Sequence, residues 1–269
     1  MRAAVLGSPI QHSKSPQLHL AAYRALGLRD WSYERIECSA EQLPGLVEGL
    51  GPDWVGLSVT MPGKVAALGF ADERTERAIL AGSANTLLRT PTGWRADCTD
   101  VDGVRGALEE VGLTDLSGQA VTVVGAGGTS RPAVVALAGL GAKSVTIVAR
   151  SADRAADTLA CGRAAGLDTR FVSVDDPVLA DVAAASAVVV STVPAPGAAP
   201  ISTALAHAPV VLDAIYDPWP TPLADAVAAA GGTIVSGLAM LLNQAYGQVE
   251  QFTGQPAPKA AMRAAIDAA

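Results

Sequence analysis

The sequence predicts an α/β protein of two domains, and three observations carry that expectation. Half of the 269 residues are apolar while aromatics supply only 4%. The core must then be assembled mainly from Ala, Val and Leu, the composition of parallel strands buried on both faces. Short apolar runs alternate with helical stretches along the chain, as βαβ units require. In its middle, the run Ala120–Val124 passes directly into Gly125-Ala126-Gly127-Gly128-Thr129-Ser130. That is a strand, a glycine turn and a helix start in succession.

Within residues 1–101 strands are predicted at 3–6, 31–36 and 54–59, and helices at 17–26, 41–49 and 75–80. The runs 85–89 and 94–97, separated by Pro91-Thr92-Gly93, read as a hairpin. A helix from Asp102 opens a second domain reaching residue 237, with strands predicted at 120–124, 144–148, 170–174, 187–191, 210–215 and 233–236. Six strands alternating with helices make a doubly wound, Rossmann-type dinucleotide-binding sheet. Pro132 suits the first turn of the helix after the glycines, where its missing N–H has no partner to lose. Beyond Gly237 no strand pattern remains. One helix is predicted at 238–252 and another after Pro258. These should pack back on the first half, so residues 1–101 plus 238–269 form one discontinuous domain with a mainly parallel sheet, and 102–237 the other. Chain crossings near Val101 and Gly237 give a hinge layout.

Net charge is −7 and no basic cluster occurs, which argues against duplex nucleic acid as a partner. No apolar run reaches membrane-spanning length, and the N-terminal apolar stretch is too short for a signal peptide. A cytoplasmic protein, monomer or homodimer, is expected. Cys38, Cys98 and Cys161 lack metal-ligand spacing and read as reduced structural thiols. His12, His19 and His207 are scattered, so no metal is expected.

The glycine turn is an anion site, because backbone N–H groups and the helix dipole both point at whatever phosphate sits there. Ser130 stands where a third glycine is usual. About twenty positions after such glycines, NAD-binding domains carry an acid for the ribose hydroxyls. Here Arg150 ends the second strand of the domain, with Arg154 one helical turn on. A guanidinium suits a phosphate on the ribose 2′-oxygen, so the cofactor predicted is NADP.

In the first half, polar residues cluster at element ends. Ser13-Lys14-Ser15-Pro16 opens a helix, and its serines read either as caps or as hydroxyls for a carboxylate. No arginine for that carboxylate is evident. Thr60 follows a strand, and Pro62-Gly63 forces a turn that presents Lys64 from a loop. Asn85-Thr86 and Thr99-Asp100 complete the set. Asp100 alone would pass for a helix-capping carboxylate.

Taken in order, these motifs resemble the shikimate dehydrogenase family, NADP-dependent enzymes of aromatic biosynthesis. The resemblance runs from Gly7-Ser8-Pro9-Ile10 and Ser13-Lys14-Ser15-Pro16 through Ser58-Val59-Thr60-Met61-Pro62-Gly63-Lys64 and Gly82-Ser83-Ala84-Asn85-Thr86. It continues through Cys98-Thr99-Asp100, the glycine turn, Tyr216-Asp217-Pro218, Thr221-Pro222-Leu223 and Gly237-Leu238-Ala239-Met240-Leu241 to Gln244. It implies reversible reduction of 3-dehydroshikimate to shikimate. It implies Ser13, Ser15 and Tyr216 at the substrate carboxylate, and Thr60, Lys64, Asn85, Asp100 and Gln244 at the ring hydroxyls. Lys64 and Asp100 would be catalytic. Gly125, Ala126, Gly127, Gly128, Thr129, Arg150 and Arg154 would hold the cofactor, with Gly237 and Met240 against its nicotinamide.

The chain also departs from the family. Ser58 and Cys98 stand where Asn is common, which removes amide hydrogen bonds near the site. Ala149-Arg150-Ser151 replaces the usual Asn-Arg-Thr, and Ser191-Thr192-Val193-Pro194 lacks the usual Asn, leaving it no role beyond lining the cofactor. A quinate or dual quinate/shikimate dehydrogenase, a folate-linked dehydrogenase and a non-catalytic NADP-binding regulator are the competing readings. The serine pair and Arg150 favour shikimate and NADP, and the presence of both Lys64 and Asp100 favours an enzyme.

Overall fold

A computed structural model describes residues 1–267. Each apolar run predicted to be a strand forms one, and the chain divides into two compact units, Met1–Gly103 with Leu241–Ala269, and Val104–Met240.

The first unit runs β1 (Arg2–Gly7), α1 (Ser15–Ala25), β2 (Ser32–Glu37), α2 (Leu43–Glu48), β3 (Trp54–Val59), α3 (Lys64–Phe70), β4 (Glu73–Arg74), α4 (Glu76–Ala81), β5 (Thr86–Thr90), β6 (Gly93–Asp97) and into α5 (Asp100–Glu109). Its sheet has the order β2-β1-β3-β5-β6-β4. β1 is parallel to β2 and β3, and β4 to β6, while the hairpin makes β5 antiparallel to both neighbours. Leu6, Leu57 and Leu87 are fully buried, and Leu43 and Val47 of α2 join the same core. Each such side chain contributes about 1.5–3 kcal/mol.

Sequence reading missed α3 and β4. Lys64, expected in a loop, is instead the first residue of α3. The helix has only seven residues, buries only Ala67 fully, and is flanked or interrupted by Gly63 and Gly69. Periodicity cannot reveal so short an element.

The second unit continues with β7 (Ala120–Val124), α6 (Ser130–Gly139), β8 (Ser144–Ala149), α7 (Ala152–Ala164), β9 (Asp168–Ser173), α8 (Leu179–Ala184) and β10 (Val189–Ser191). Then come α9 (Ala195–Ala198), a 3-10 turn (Ala199–Ile201), α10 (Ser202–Leu205), β11 (Val210–Asp213), α11 (Pro222–Ala229), β12 (Thr233–Ser236) and α12 (Gly237–Thr253). Its sheet, β12-β11-β10-β7-β8-β9, is parallel throughout. Numbered within the unit this is 3-2-1-4-5-6, with the ligand crevice of such sheets at the carboxyl ends of β7 and β10, where strand order reverses. Val123, Val124, Ile147, Val189, Val190 and Val211 are fully buried, as strands covered on both faces require.

Most of α12 belongs to the first unit, as does the final helix, α13 (Lys259–Asp267). α13 packs against α1 and buries Met262 and Ile266.

Candidate active site

β3 delivers the chain to Thr60 and the turn Met61-Pro62-Gly63, after which Lys64 starts α3. Asp100 starts α5 in the same unit. Lys64 Nζ lies 2.6 Å from Asp100 Oδ2, with only 13% and 7% of the two side chains exposed. The other carboxylate oxygen accepts from Asn85 Nδ2 at 3.0 Å. That amide nitrogen also reaches Thr99 Oγ1 at 2.9 Å and Gln244 Oε1 at 3.0 Å. Asn85 Oδ1 accepts from Thr99 N at 2.7 Å. The backbone braces the same group, since Ala84 N donates to the Lys64 carbonyl at 2.9 Å and Val59 N to the Asn85 carbonyl at 2.7 Å. An ammonium held by a carboxylate on a partly open face can meet a substrate oxygen with its remaining donors.

Ser13 and Ser15 stand at the start of α1. The residue before that helix, Lys14, makes no side-chain cap, and Ser13 Oγ receives the Ser15 N–H at 3.4 Å. Ser15 is buried beside Tyr33, whose hydroxyl donates to Ser58 Oγ at 2.6 Å. Burial pushes the Tyr33 hydroxyl well above the ordinary phenol range, against the opposing bonds of Ser58 and Ser15.

An arginine does attend this loop. Arg35 donates from Nε to the Ser13 carbonyl at 2.8 Å and from Nη2 at 2.5 Å. It was hidden because it lies on β2, and only the parallel pairing of β1 with β2 brings it to the serines.

Gln248 was also missed. It is buried, donates from Nε2 to the Asn85 carbonyl and Thr86 Oγ1 at 3.0 Å each, and accepts from Ser58 Oγ at 2.7 Å. It thus restores an amide where Ser58 had suggested one was lost. The signal was present in the spacing of Gln244, Gln248 and Gln251, which places three glutamine amides on one side of the helix.

Gln251 Nε2 donates to Asp97 Oδ2 at 2.7 Å, and Arg77 grips both Asp97 oxygens and also Asp102. Burial alone would raise the Asp97 pKa, but Arg77, with Thr75 and Gln251, outweighs it and holds the carboxyl at about 2. The brace flanks Thr99-Asp100 on the chain and fixes their turn. Between them Cys98 is buried, and burial raises its thiol far above the usual range.

In the second unit the glycine turn follows β7 at the switch point. Gly125 has φ +109°, and a Cβ there would lie 2.5 Å from Thr192 Oγ1. Ser130, in place of a third glycine, accepts from Gly127 N at 3.1 Å and bonds Thr192 Oγ1 at 2.8 Å, while Thr192 donates to the Val124 carbonyl at 2.9 Å. The pair latches the turn across the carboxyl ends of β7 and β10, a role the sequence did not assign to Thr192. A Cβ at Gly127 would meet nothing within 4 Å, and Gly127 and Gly128 are exposed, with Ala126 and Thr129 half-buried. The turn therefore offers open backbone, as a phosphate ligand requires.

Arg150 directly follows β8 and Arg154 lies in the first turn of α7, both exposed and neither in an ion pair among the described residues. These residues fit the phosphates of NADP. A Cβ on Gly237 would fall 2.2 Å from the Ala214 carbonyl oxygen, so only glycine can open α12. Met240 is buried and Tyr216 half-buried, both in this unit. Among the described residues there is no cluster suited to a metal, and no helix is long and apolar enough to cross a membrane.

A 3-2-1-4-5-6 parallel sheet with arginines in place of the ribose acid, and a second α/β unit carrying a buried Lys–Asp pair, define an NADP-dependent oxidoreductase. Residues 5–87 match the shikimate dehydrogenase substrate binding domain, 107–203 the shikimate / quinate 5-dehydrogenase domain, and 237–266 the shikimate 5′-dehydrogenase C-terminal domain. A shikimate dehydrogenase (NADP(+)) of an Anaeromyxobacter species is 39% identical, over 98% of this chain and 95% of its own. The crystal structure of Mycobacterium tuberculosis shikimate dehydrogenase is similar at 61% identity and TM-score 0.94, over 100% of this chain and 99% of that one. That of Thermus thermophilus shikimate 5-dehydrogenase in complex with NADP(H) and shikimate shows 29% identity and TM-score 0.83, over 100% and 99%. The chain belongs to the shikimate dehydrogenase family.

Proposed function

We propose that this chain catalyses the reversible reduction of 3-dehydroshikimate to shikimate with NADPH, and that Lys64 and Asp100 carry the proton transfer. The observation that supports it most is the 2.6 Å contact between Lys64 Nζ and Asp100 Oδ2, with Asn85 anchoring the second carboxylate oxygen. NADPH supplies the hydride. As the ketone carbon accepts it, the oxygen gains negative charge, and a positive proton donor beside it stabilises the transition state. Lys64 gives that proton in reduction, Asp100 orients the ammonium, and the pair takes the proton back in oxidation.

Ser13, Ser15 and Tyr216 bind the carboxylate in this reading, with Thr60, Asn85 and Gln244 on the ring hydroxyls. Arg150 and Arg154 take the 2′-phosphate, the backbone from Gly125 to Thr129 the pyrophosphate, and Gly237 and Met240 the nicotinamide. The unit of residues 1–103 with 241–269 is then the substrate domain and residues 104–240 the NADP domain. The enzyme works in the cytoplasm as a monomer or homodimer.

Purified protein given shikimate and NADP should produce NADPH, read by its absorbance. Faster turnover of quinate, or of either acid with NAD, would replace this reading with a quinate dehydrogenase. Tight NADPH binding with no turnover of either acid would make the protein a binding module.

A further inference from the structure

We propose that Gln248 is a positioning residue for this reaction: it ties the buried Tyr33–Ser58 pair to Asn85 and so fixes the face that Asn85 turns toward Asp100. The inference rests on the reading of Lys64 and Asp100 just given. Gln248 is 1% exposed, and both ends of its amide are engaged. Its Oε1 accepts from Ser58 Oγ at 2.7 Å, and His19 Nε2 lies 3.3 Å from the same oxygen. Its Nε2 donates to the Asn85 carbonyl and to Thr86 Oγ1.

These contacts leave one consistent direction of donation. Tyr33 gives its hydrogen to Ser58 Oγ at 2.6 Å, which leaves the Ser58 hydrogen for Gln248. Thr86 Oγ1, which accepts from Gln248, donates to Asn85 Oδ1 at 3.0 Å. That oxygen also takes the Thr99 backbone N–H, so Asn85 can point only its Nδ2 at Asp100 Oδ1 and Gln244 Oε1. A reversed Gln248 amide would set oxygen against the Asn85 carbonyl and remove the donor that orients Thr86.

His19 holds the orientation from the other side. Facing an amide oxygen, it must carry its proton on Nε2, which leaves Nδ1 as the acceptor, buried and without a hydrogen-bond partner among the described residues. Its ring stacks on Tyr33 at 4.0 Å between centroids and 14° between planes, so it cannot turn to satisfy that nitrogen. The line from Tyr33 to Asn85 thus ends on the carboxylate that holds Lys64, although Gln248 touches neither member of the pair.

The test is Gln248→Met, which keeps length and apolar bulk and deletes both amide ends, assayed with shikimate and NADP. Turnover should fall at least about tenfold, within the range of coupling in a shared network. The Michaelis constant for NADP should stay within about twofold, as the cofactor turn lies elsewhere. In an Asp100→Asn background the same change should cost less than about twofold, because the orientation it protects no longer serves a carboxylate. Equal losses in both backgrounds would mean a purely structural role and overturn the inference. Should Gln248→Met lack a cooperative thermal transition, Ser58→Ala removes the donor behind the amide and carries the same two-background comparison. An inactive wild-type protein overturns the functional reading and this inference with it. An active wild type with equal losses overturns only the role of Gln248.

Discussion

At the scale of single residues, Lys64 and Asp100 illustrate what a sequence can and cannot show. Each is ordinary alone, a lysine after a turn and an aspartate at a helix start, and only the ordered set of motifs made them candidates for a catalytic pair. Lys64→Ala should lower turnover by roughly 10²–10⁴ while shikimate affinity changes little, because the serines, Asn85 and Gln244 still hold the ring. Retention of more than about a third of wild-type turnover would exclude it as the proton donor. Since the two side chains act as a unit, adding Asp100→Asn should cost far less than the product of the single losses. Arg35 and Gln248 stayed hidden for the opposite reason. Their meaning lies in which strand or helix they face, and no local spacing encodes the pairing of β1 with β2 or the docking of α12 beneath β3 and β5.

At the scale of elements, strands were legible because buried parallel strands are continuous apolar runs, whereas α3 is too short and too glycine-bounded to show a period. The start of α1 carries the second prediction. Changing Ser13 and Ser15 together to Ala should weaken shikimate binding in calorimetry while NADP binding survives; unaltered shikimate affinity would reduce the pair to a local turn.

Acid should act on α1 and on the start of α5 through different groups. His19, fully buried in α1, has its pKa lowered by burial from 6.5 to about 3, Gln248 opposing. Below pH 6.5 the unfolded chain binds a proton that the folded one refuses until about pH 3, so folding stability falls as pH falls across that window. Asp97 adds a lower window. Its contribution is complete above the unfolded value near 3.8 and is lost as pH drops through about 2. Urea midpoints should therefore fall between pH 7 and pH 4.5 in the wild type, and less steeply in His19→Leu. Equal slopes would place the acid sensitivity elsewhere.

At the scale of the whole molecule, the all-parallel sheet and its glycine turn were written plainly in the sequence, as was the hairpin that makes the other sheet mixed, while the two-residue β4 at that sheet's edge was too short to read. Cofactor choice is tested at this scale by ligand-induced stabilisation. NADP at a hundred times its dissociation constant should stabilise the fold by about 2.7 kcal/mol. Arg150→Ala, losing a charge-assisted contact of roughly 1.5–3 kcal/mol, should erase most of that shift at the same concentration and leave the smaller NAD effect unchanged. Equal weakening for both cofactors would remove Arg150 from the 2′-phosphate.

The helix α12 has one more consequence, for insertions rather than replacements. It opens on Gly237 and Met240 and runs on through Gln244, Gln248 and Gln251. Each residue added to a helix turns everything after it by roughly 100° and advances it by about 1.5 Å. A single alanine inserted after Leu242 would leave every functional side chain in the protein, yet swing all three glutamines out of phase with the glycine that starts the helix. Such an insertion should silence turnover more completely than Gln244→Ala, and a second insertion of three further residues, completing about one turn, should recover part of it. Length along this helix is thus as much a part of the chemistry as the residues it carries.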